Sequence, residues 1–170
     1  MERWSIDIQK EYLKFSAAHF LLFPDGTAER LHGHNYRVFV EIDAALTRFG
    51  LVMDFKRVKP VIRKLVDELD EHWLVPGENP ALRVTRRGDG ITEVRFAERF
   101  YAAPDADVIV MPMNNVSAEN LATWVGRELC RRLAVEFGDV EVRALRCAVE
   151  ETSGQRGVYH RSADGRTGVT

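Results

Sequence analysis

The sequence predicts an α+β fold, in which strands come first, two helices follow, and another pair of strands closes the chain. Two central segments place apolar residues at helical spacing. The segments on either side of them alternate apolar and polar residues, which is typical of strands with one buried face. The predicted order is therefore β-β-α-α-β-β, and nothing in the 170 residues divides the chain into two domains.

The first two strands are expected to form a hairpin. An apolar alternation begins at Trp4 and runs on loosely to Phe15, and a clearer alternation occupies residues 36–42. A Pro-Asp-Gly turn marks the loop between them. We expect the first strand to end at His19 and to pair antiparallel with the strand that begins at Tyr36.

Two helices are predicted in the middle of the chain. The first has four apolar residues at helical spacing, Val58, Ile62, Leu65 and Leu69. Because proline breaks a helix interior, we expect this helix to begin about Lys59, with Pro60 in its first turn. The second has an apolar residue at every fourth position over 121–137, with Ser117 as its N-cap and Gly138 just past its end.

Residues 83–111, between the helices, are additional to this simple order. They are expected to form a β-hairpin that turns at residues 88–90, followed by a short strand over 108–111. Two closing strands follow the second helix. Residues 162–170 have nothing to bury and are predicted to be a disordered tail, which leaves residues 1–161 as one domain.

Composition excludes several classes of function. The formal net charge of -2 gives no electrostatic reason to expect nucleic acid or an anionic membrane as a partner. No apolar run approaches the roughly 20 residues of a membrane span. The charged N-terminus is unlike a secretory signal, and Cys130 and Cys147 make no disulfide framework, so we expect a cytoplasmic protein.

Three histidines form a candidate metal site. His32 and His34 are two residues apart, so their rings point to the same side of an extended chain. Pairing of the first two strands would bring His19 beside them. Three imidazoles with one open position are the usual ligands of a catalytic zinc ion. Spacing alone leaves open the alternative that the pair is an ordinary feature of a strand surface.

Several motifs resemble the 6-pyruvoyltetrahydropterin synthase family, which includes the bacterial 6-carboxytetrahydropterin synthases. In order, they are FSAAHF, LHGHNY, GLVMDF, ELDEHWL, NVSAENLA and EETSGQRGVY. The resemblance covers about residues 3–82 and 112–161. It implies the tunnelling fold (T-fold), in which subunits join their sheets into a barrel. It also implies trimers or hexamers with active sites at subunit interfaces, acting on a small pterin substrate.

The resemblance also assigns site residues. It implies that Zn²⁺ is bound by His19, His32 and His34. Glu151 matches the carboxylate that anchors the pterin ring, although from the residues alone Glu150 is an equal candidate. Thr152 and Ser117 fall in the same substrate-binding motifs, and Asp70 matches the aspartate of the family's proton relay.

The sequence departs from the family at the residues that carry protons. Ala28 stands where family members usually carry a cysteine. Glu71 stands where a histidine normally follows Asp70, and His72 comes one residue later. However, Glu29 gives the pattern Glu-x-x-His-Gly-His. This resembles a subset of the family that uses glutamate and cleaves the side chain of 7,8-dihydroneopterin triphosphate to 6-hydroxymethyl-7,8-dihydropterin, a folate precursor.

Three functions therefore stay open. The first is the side-chain-cleaving lyase, with Glu29 as the catalytic carboxylate. The second is a 6-carboxytetrahydropterin synthase in queuosine or deazapurine synthesis, which Ala28 argues against. The third is a zinc-containing pterin-binding protein with little catalysis. The triphosphate requires cationic partners, and four arginines lie near the motifs: Arg30, Arg37, Arg156 and Arg161. The insertion is expected to cover the substrate, to contact another subunit, or to be a tolerated surface addition.

Overall fold

The computed structural model describes residues 2–163 and has the predicted α+β architecture. Neither helix in this part of the chain is long and apolar enough to cross a membrane. The strands are β1 (Ser5–Ile8), β2 (Lys14–His19), β3 (His32–Ala44), β4 (His72–Pro76), β5 (Arg83–Arg86), β6 (Ile91–Phe96), β7 (Arg99–Pro104), β8 (Val108–Met111), β9 (Val142–Thr152) and β10 (Gln155–Ser162), and the helices are α1 (Phe55–Asp67) and α2 (Ala118–Glu136). Because Ser162 ends β10, the domain extends beyond the predicted boundary at 161. Ala163, the second residue of the predicted tail, donates its N–H to the Arg143 carbonyl at 2.7 Å, and residues 164–170 of that tail lie outside the described residues.

The main sheet has the strand order β10-β9-β3-β2-β4-β8, and β1 also pairs with β3. Strands β2 and β3 are antiparallel, as predicted, and His19 lies directly opposite His32. Two details differ from the prediction. Strand β3 begins at His32, earlier than Tyr36. The single first strand is two strands, because a turn in which the Leu13 N–H donates to the Lys10 carbonyl at 2.9 Å interrupts it.

The main core lies between one face of this sheet and the two helices. The predicted buried face of β3 is confirmed, since Tyr36, Val38, Val40 and Ile42 are all buried. Helix α2 also matches the prediction. The Ser117 side chain accepts a hydrogen bond from the Asn120 N–H, and the chain leaves the helix just before Gly138. The apolar ladder of α2 faces this core from Leu121 to Leu133.

The predicted start of the first helix, about Lys59, was wrong. Helix α1 begins at Phe55, because the Asp54 side chain accepts a hydrogen bond from the Lys56 N–H at 2.8 Å and caps the helix there. Pro60 is tolerated near the start of the helix. It has no N–H to donate to the Lys56 carbonyl, but Lys56 is exposed, so water can bind that carbonyl. The helix ends at Asp67, and the unpredicted strand β4 follows.

The insertion forms a separate three-stranded sheet with the order β5-β6-β7. The predicted hairpin and its turn at 88–90 are confirmed, but the sequence did not predict β7. Strand β8 is at its predicted place and joins the main sheet beside β4. The small sheet covers a second apolar cluster formed by Phe20, Leu22, Trp73, Val75, Val94, Phe96 and Val108. Since Trp73 and Val75 alternate with Leu74 of the main core, this cluster lies on the face of the main sheet opposite the helices.

Gly157 lies where β10 crosses the N-terminus of α2. A Cβ atom at this position would overlap the backbone atoms of Ala118 and Glu119, which cannot move without displacing the helix. We expect Gly157→Ala to lower the free energy of unfolding by about 3 kcal/mol, measured by urea denaturation. The control is Gly138→Ala, whose nearest neighbour lies 3.4 Å away and which should change stability by less than about 0.5 kcal/mol. Equal losses in the two variants would contradict the close approach.

Candidate active site

The pairing of β2 with β3 brings the three predicted metal-binding histidines together. His19 faces His32 across the two strands, and His34 follows on the same side. The ring centroids of His19 and His32 are 4.8 Å apart, as are those of His32 and His34. One ring nitrogen of each histidine lies within 4.8 Å of the others, a spacing that fits ligands of one metal ion.

Hydrogen bonds to carbonyl groups orient two of these rings. The Nδ1 atom of His19 lies 2.8 Å from the Val116 carbonyl oxygen, and that of His32 lies 2.7 Å from the Arg30 carbonyl oxygen. Because a carbonyl only accepts, each Nδ1 carries the hydrogen and donates it. This leaves the lone pair on Nε2 free in both rings, the tautomer that a metal requires.

The buried His19 ring has the protonation state and the free nitrogen that a metal ligand needs. Burial lowers the pKa of His19 from its usual value, although the hydrogen bond to Val116 and the nearby Glu151 oppose this, so the neutral ring is favoured. Its Nε2 atom is buried without a hydrogen-bond partner and faces Glu151 Oε1 at 3.2 Å. Two acceptors this close repel each other unless a cation lies near both. The histidine cluster and this orphaned atom therefore fit a bound metal ion.

Glu151 lies on the same face of the sheet as the histidines. Its Oε1 atom is 3.8 Å from His34 Nε2 and accepts a hydrogen bond from the Tyr36 hydroxyl at 3.3 Å. Burial raises the pKa of Tyr36, so this hydroxyl remains a donor. The neighbouring Glu150 points to the opposite face, where it accepts from Arg156 Nε at 2.6 Å. The structure thus distinguishes two glutamates that the residues alone left equivalent.

Glu29 reaches the histidines from a short hairpin formed by residues 21–29. A bridge joins Leu22 to Ala28, and the Glu29 N–H donates to the Leu21 carbonyl at 2.9 Å. The Leu21 N–H in turn donates to Glu29 Oε2 at 3.2 Å, and this oxygen lies 3.9 Å from His32 Nε2. Of the predicted catalytic side chains, Glu29 is therefore placed directly beside the candidate metal position.

The segment from Asp70 to His72 is placed differently. The Asp70 carboxylate accepts a hydrogen bond from the Ser16 N–H at 2.7 Å, so it fastens the segment to β2. His72 donates from Nδ1 to the Asp70 carbonyl at 2.6 Å. Glu71 and His72 line a cavity of about 590 Å³ that His34 also lines. The cavity wall includes neither His19 and His32 nor Glu29 and Glu151, so the structure does not bring Glu71 and His72 to the histidine cluster of the same chain. The Asp70 carboxylate is held by β2.

The remaining predicted site residues lie at the margins of this site. Ser117 caps α2, directly after the carbonyl that orients His19. Thr152 follows Glu151 at the end of β9, where its hydroxyl donates to the Gln155 side chain at 2.8 Å. Their roles in binding substrate stay predictions. The two cysteines are core residues, and burial raises the pKa of the Cys147 thiol to about 12, which makes it a poor nucleophile.

Sequence reasoning missed three residues that support this site. Tyr36 was interpreted only as part of a strand face. Asn115 binds the Glu29 hairpin through two hydrogen bonds to the backbone of Leu22, at 3.1 and 2.9 Å. Arg99 of β7 donates to the Ala28 carbonyl at 3.0 Å and also to the Glu29 carbonyl. Asn115 is the first residue of the motif NVSAENLA, whereas no sequence signal pointed to Arg99.

Comparison with known protein sequences gives a consistent result. The profile of a family described as 6-pyruvoyl tetrahydropterin synthase matches residues 7–162. A Methanocaldococcus jannaschii protein provisionally named a 6-carboxy-5,6,7,8-tetrahydropterin synthase is 29% identical over 150 residues, covering 88% of this chain and 90% of that protein. A Rickettsia felis protein named a 6-carboxy-5,6,7,8-tetrahydropterin synthase is 28% identical over 124 residues, covering 72% of this chain and 80% of its own length.

A solved structure shares the fold. A Plasmodium vivax 6-pyruvoyltetrahydropterin synthase, in a variant whose catalytic glutamate is replaced by alanine, superposes with a TM-score of 0.89 at 24% identity. The match covers 95% of this chain and 99% of that one, so most of the insertion is included. This likeness confirms the predicted fold class, the α+β tunnelling fold.

Proposed function

Because the chain belongs to the 6-pyruvoyl tetrahydropterin synthase family, we propose that it is a zinc-dependent lyase. The proposed substrate is 7,8-dihydroneopterin triphosphate or a close pterin, and the proposed product is 6-hydroxymethyl-7,8-dihydropterin. One observation carries the proposal: with alanine at position 28, the carboxylate of Glu29 lies 3.9 Å from His32 Nε2. The Plasmodium vivax enzyme, in which a glutamate is a catalytic residue, supports this choice.

The proposed ligands of Zn²⁺ are His19, His32 and His34. A zinc ion held by three neutral imidazoles would act as a Lewis acid toward the hydroxyl groups of the substrate side chain. The histidine tautomers and the orphaned Nε2 atom of His19 support this assignment. The outer partners of the rings, Val116 and Arg30, would hold the ligand set in place.

The proposed cleavage is a retro-aldol reaction with two proton transfers, one from the C2′ hydroxyl and one to C1′. Glu29 removes the proton of the C2′ hydroxyl, the C1′–C2′ bond breaks, and its electron pair moves into the dihydropterin ring. A proton delivered to C1′ then completes the hydroxymethyl group, while C2′ leaves as the aldehyde of a two-carbon triphosphate. The reaction needs no oxidant and no water. Glu71 and His72 are the proposed carriers for the second proton transfer, and Asp70, whose carbonyl accepts from His72 Nδ1, orients His72.

Glu151 is the proposed anchor of the pterin ring. A carboxylate accepts two parallel hydrogen bonds from the 2-amino group and the ring N–H, which would fix the side chain toward the histidines. Among the four candidate arginines, Arg37 and Arg156 bind Glu150 on the opposite face. Arg30, next to Glu29, is our proposed partner for the triphosphate.

Replacement of Glu151 by glutamine should weaken pterin binding. We expect the Kd for 7,8-dihydroneopterin, measured by calorimetry, to rise about 10- to 100-fold, because a charge-assisted hydrogen bond contributes about 1.5–3 kcal/mol. Glu150→Gln is the matched control, since this neighbouring residue faces away from the site. A similar loss of affinity in both variants would show that Glu151 does not bind the pterin ring directly.

A second function is favoured by the names of the relatives, which are called 6-carboxytetrahydropterin synthases. Product analysis distinguishes the candidates. The protein is incubated with 7,8-dihydroneopterin triphosphate in D₂O, and the products are identified by mass spectrometry. Hydroxymethyl-dihydropterin with one deuterium on C1′, the carbon of the hydroxymethyl group, supports the cleavage. Carboxytetrahydropterin supports the alternative, and a bound but unchanged pterin supports a non-catalytic binding protein.

We also propose that the chain acts as a trimer or hexamer in the cytoplasm, with active sites at subunit interfaces. Among the described residues, β10 and β8 are the outermost strands of the main sheet, and pairing of sheet edges between neighbouring subunits would support association. Native mass spectrometry measures the subunit number, and a monomer at micromolar concentration would contradict this part of the proposal.

A further inference from the structure

The inserted sheet is hydrogen-bonded to the Glu29 hairpin by the side chain of Arg99. We propose that Arg99 is a positioning residue that holds Glu29 at the histidines, an inference that rests on the proposed function of Glu29. The guanidinium group donates to two successive carbonyls of the Glu29 hairpin, those of Ala28 and Glu29. It lies at the start of β7, far from the hairpin in sequence.

The Glu29 hairpin depends on contacts from outside itself. Its tip, residues 23–27, is largely exposed, and its internal bonds join only a few residue pairs. Asn115 fixes one arm by bonding both backbone groups of Leu22. Arg99 fixes the other arm, which carries the reactive carboxylate. Each arm is thus held by a side chain from outside the hairpin, and release of the second arm would free Glu29.

The side chain type suits this task. Arginine presents several N–H donors in a rigid planar fork, so one guanidinium can bind two neighbouring carbonyl oxygens. A lysine presents a compact ammonium group on a flexible stem and would not hold both carbonyls in one geometry. The apolar cluster under the insertion adds to this support, because Leu22 of the hairpin packs in the same cluster as Phe96 of the small sheet. This apolar packing holds the small sheet against the hairpin independently of the hydrogen bonds of Arg99.

The expected consequence for catalysis follows from geometry. A displacement of about 1 Å at a catalytic group can reduce the rate about 100-fold. We expect Arg99→Ala to lower kcat about 10- to 100-fold while bound zinc stays near the wild-type value, because the hydrogen bonds of Arg99 go to the Ala28 and Glu29 carbonyls and not to the histidines. The kcat of Arg99→Lys should lie between those of the wild type and Arg99→Ala. Added guanidinium ion should restore part of the activity of Arg99→Ala.

The test combines kinetics with hydrogen exchange. Peptides covering residues 20–31 are followed by mass spectrometry in the wild type, in Arg99→Ala, and in the control Arg86→Ala, which removes an exposed arginine from β5 of the same sheet. We expect the amides of Leu21 and Glu29 to exchange at least 10-fold faster in Arg99→Ala alone, with strands β3 and β9 unchanged. Unchanged exchange, or unchanged kcat, would overturn the proposal. If the wild type itself does not turn over dihydroneopterin triphosphate, the proposed function fails, and the exchange result alone decides the role of Arg99.

Discussion

Replacement of Glu29 by glutamine is expected to abolish turnover of 7,8-dihydroneopterin triphosphate while bound zinc and folding stay unchanged. The amide keeps the size of the side chain and can still accept from the Leu21 N–H, so the hairpin should retain its shape. It cannot take up a proton from the substrate hydroxyl. Positioned acid–base groups contribute about 10²- to 10⁴-fold to the rate, and we expect kcat to fall by that amount.

The design of this experiment separates chemistry from structure. Glu11→Gln changes an exposed glutamate elsewhere and should leave kcat unchanged. Metal analysis and circular dichroism are measured on both variants. Glu29→Asp retains a carboxylate but withdraws it by one methylene, so an intermediate rate is expected. Full activity in Glu29→Gln would show that another group moves the proton, and loss of zinc in that variant would show that Glu29 acts as a metal ligand.

The part of the site that rests on strand periodicity was predictable. The alternation of β3 fixes which residues face the core, and the same alternation puts His32 and His34 on one side. The antiparallel partner then has to place its last residue, His19, beside them. Each of these inferences needs only a local pattern and one strand pairing, and such signals are present in a single sequence.

The break between α1 and β4 was not predictable in the same way. The apolar spacing of the helix continues past its end at Asp67, because Leu69 is also buried. Beyond the end of the helix, a tertiary contact directs the chain into β4. The Glu71 N–H donates to the Ser16 carbonyl at 2.7 Å, and Glu71 adopts a left-handed backbone with φ of 59°. A glycine would have signalled that conformation, whereas a glutamate gives no sign of it.

The environment of Glu29 depends on residues distant in sequence. Asn115 and Arg99 hold the two arms of its hairpin, and neither is linked to Glu29 by any spacing or periodicity. The strand that carries Arg99 was also missed. Its sequence, RFYAAP, has no clear alternation of apolar and polar residues, because β7 lies half-exposed on a small sheet. The sequence could therefore nominate Glu29 through its neighbours in the motif, but it could not show what supports the carboxylate.

Removal of one metal ligand should have the largest effect on metal binding. We expect His32→Ala to weaken the affinity for Zn²⁺ more than about 100-fold, since even loss of an outer partner of a ligand costs about 10- to 100-fold. His32 suits this test better than His19, because it is partly exposed and its truncation leaves no cavity in the core. The readout is the zinc bound per chain after dialysis, and catalytic activity should be lost with it.

Thermal stability provides a second readout of the same site that does not depend on knowing the substrate. A ligand that binds only the folded state at 100 times its Kd stabilises that state by about 2.7 kcal/mol, which for a chain of this size raises Tm by about 5–10 °C. Added zinc should therefore raise the Tm of the metal-free wild type by that amount and leave the Tm of His32→Ala nearly unchanged. His160→Ala, which removes an exposed histidine from β10, should respond like the wild type. If zinc stabilised His32→Ala equally, the ion would be bound elsewhere, and the assignment of the three histidines as its ligands would be wrong.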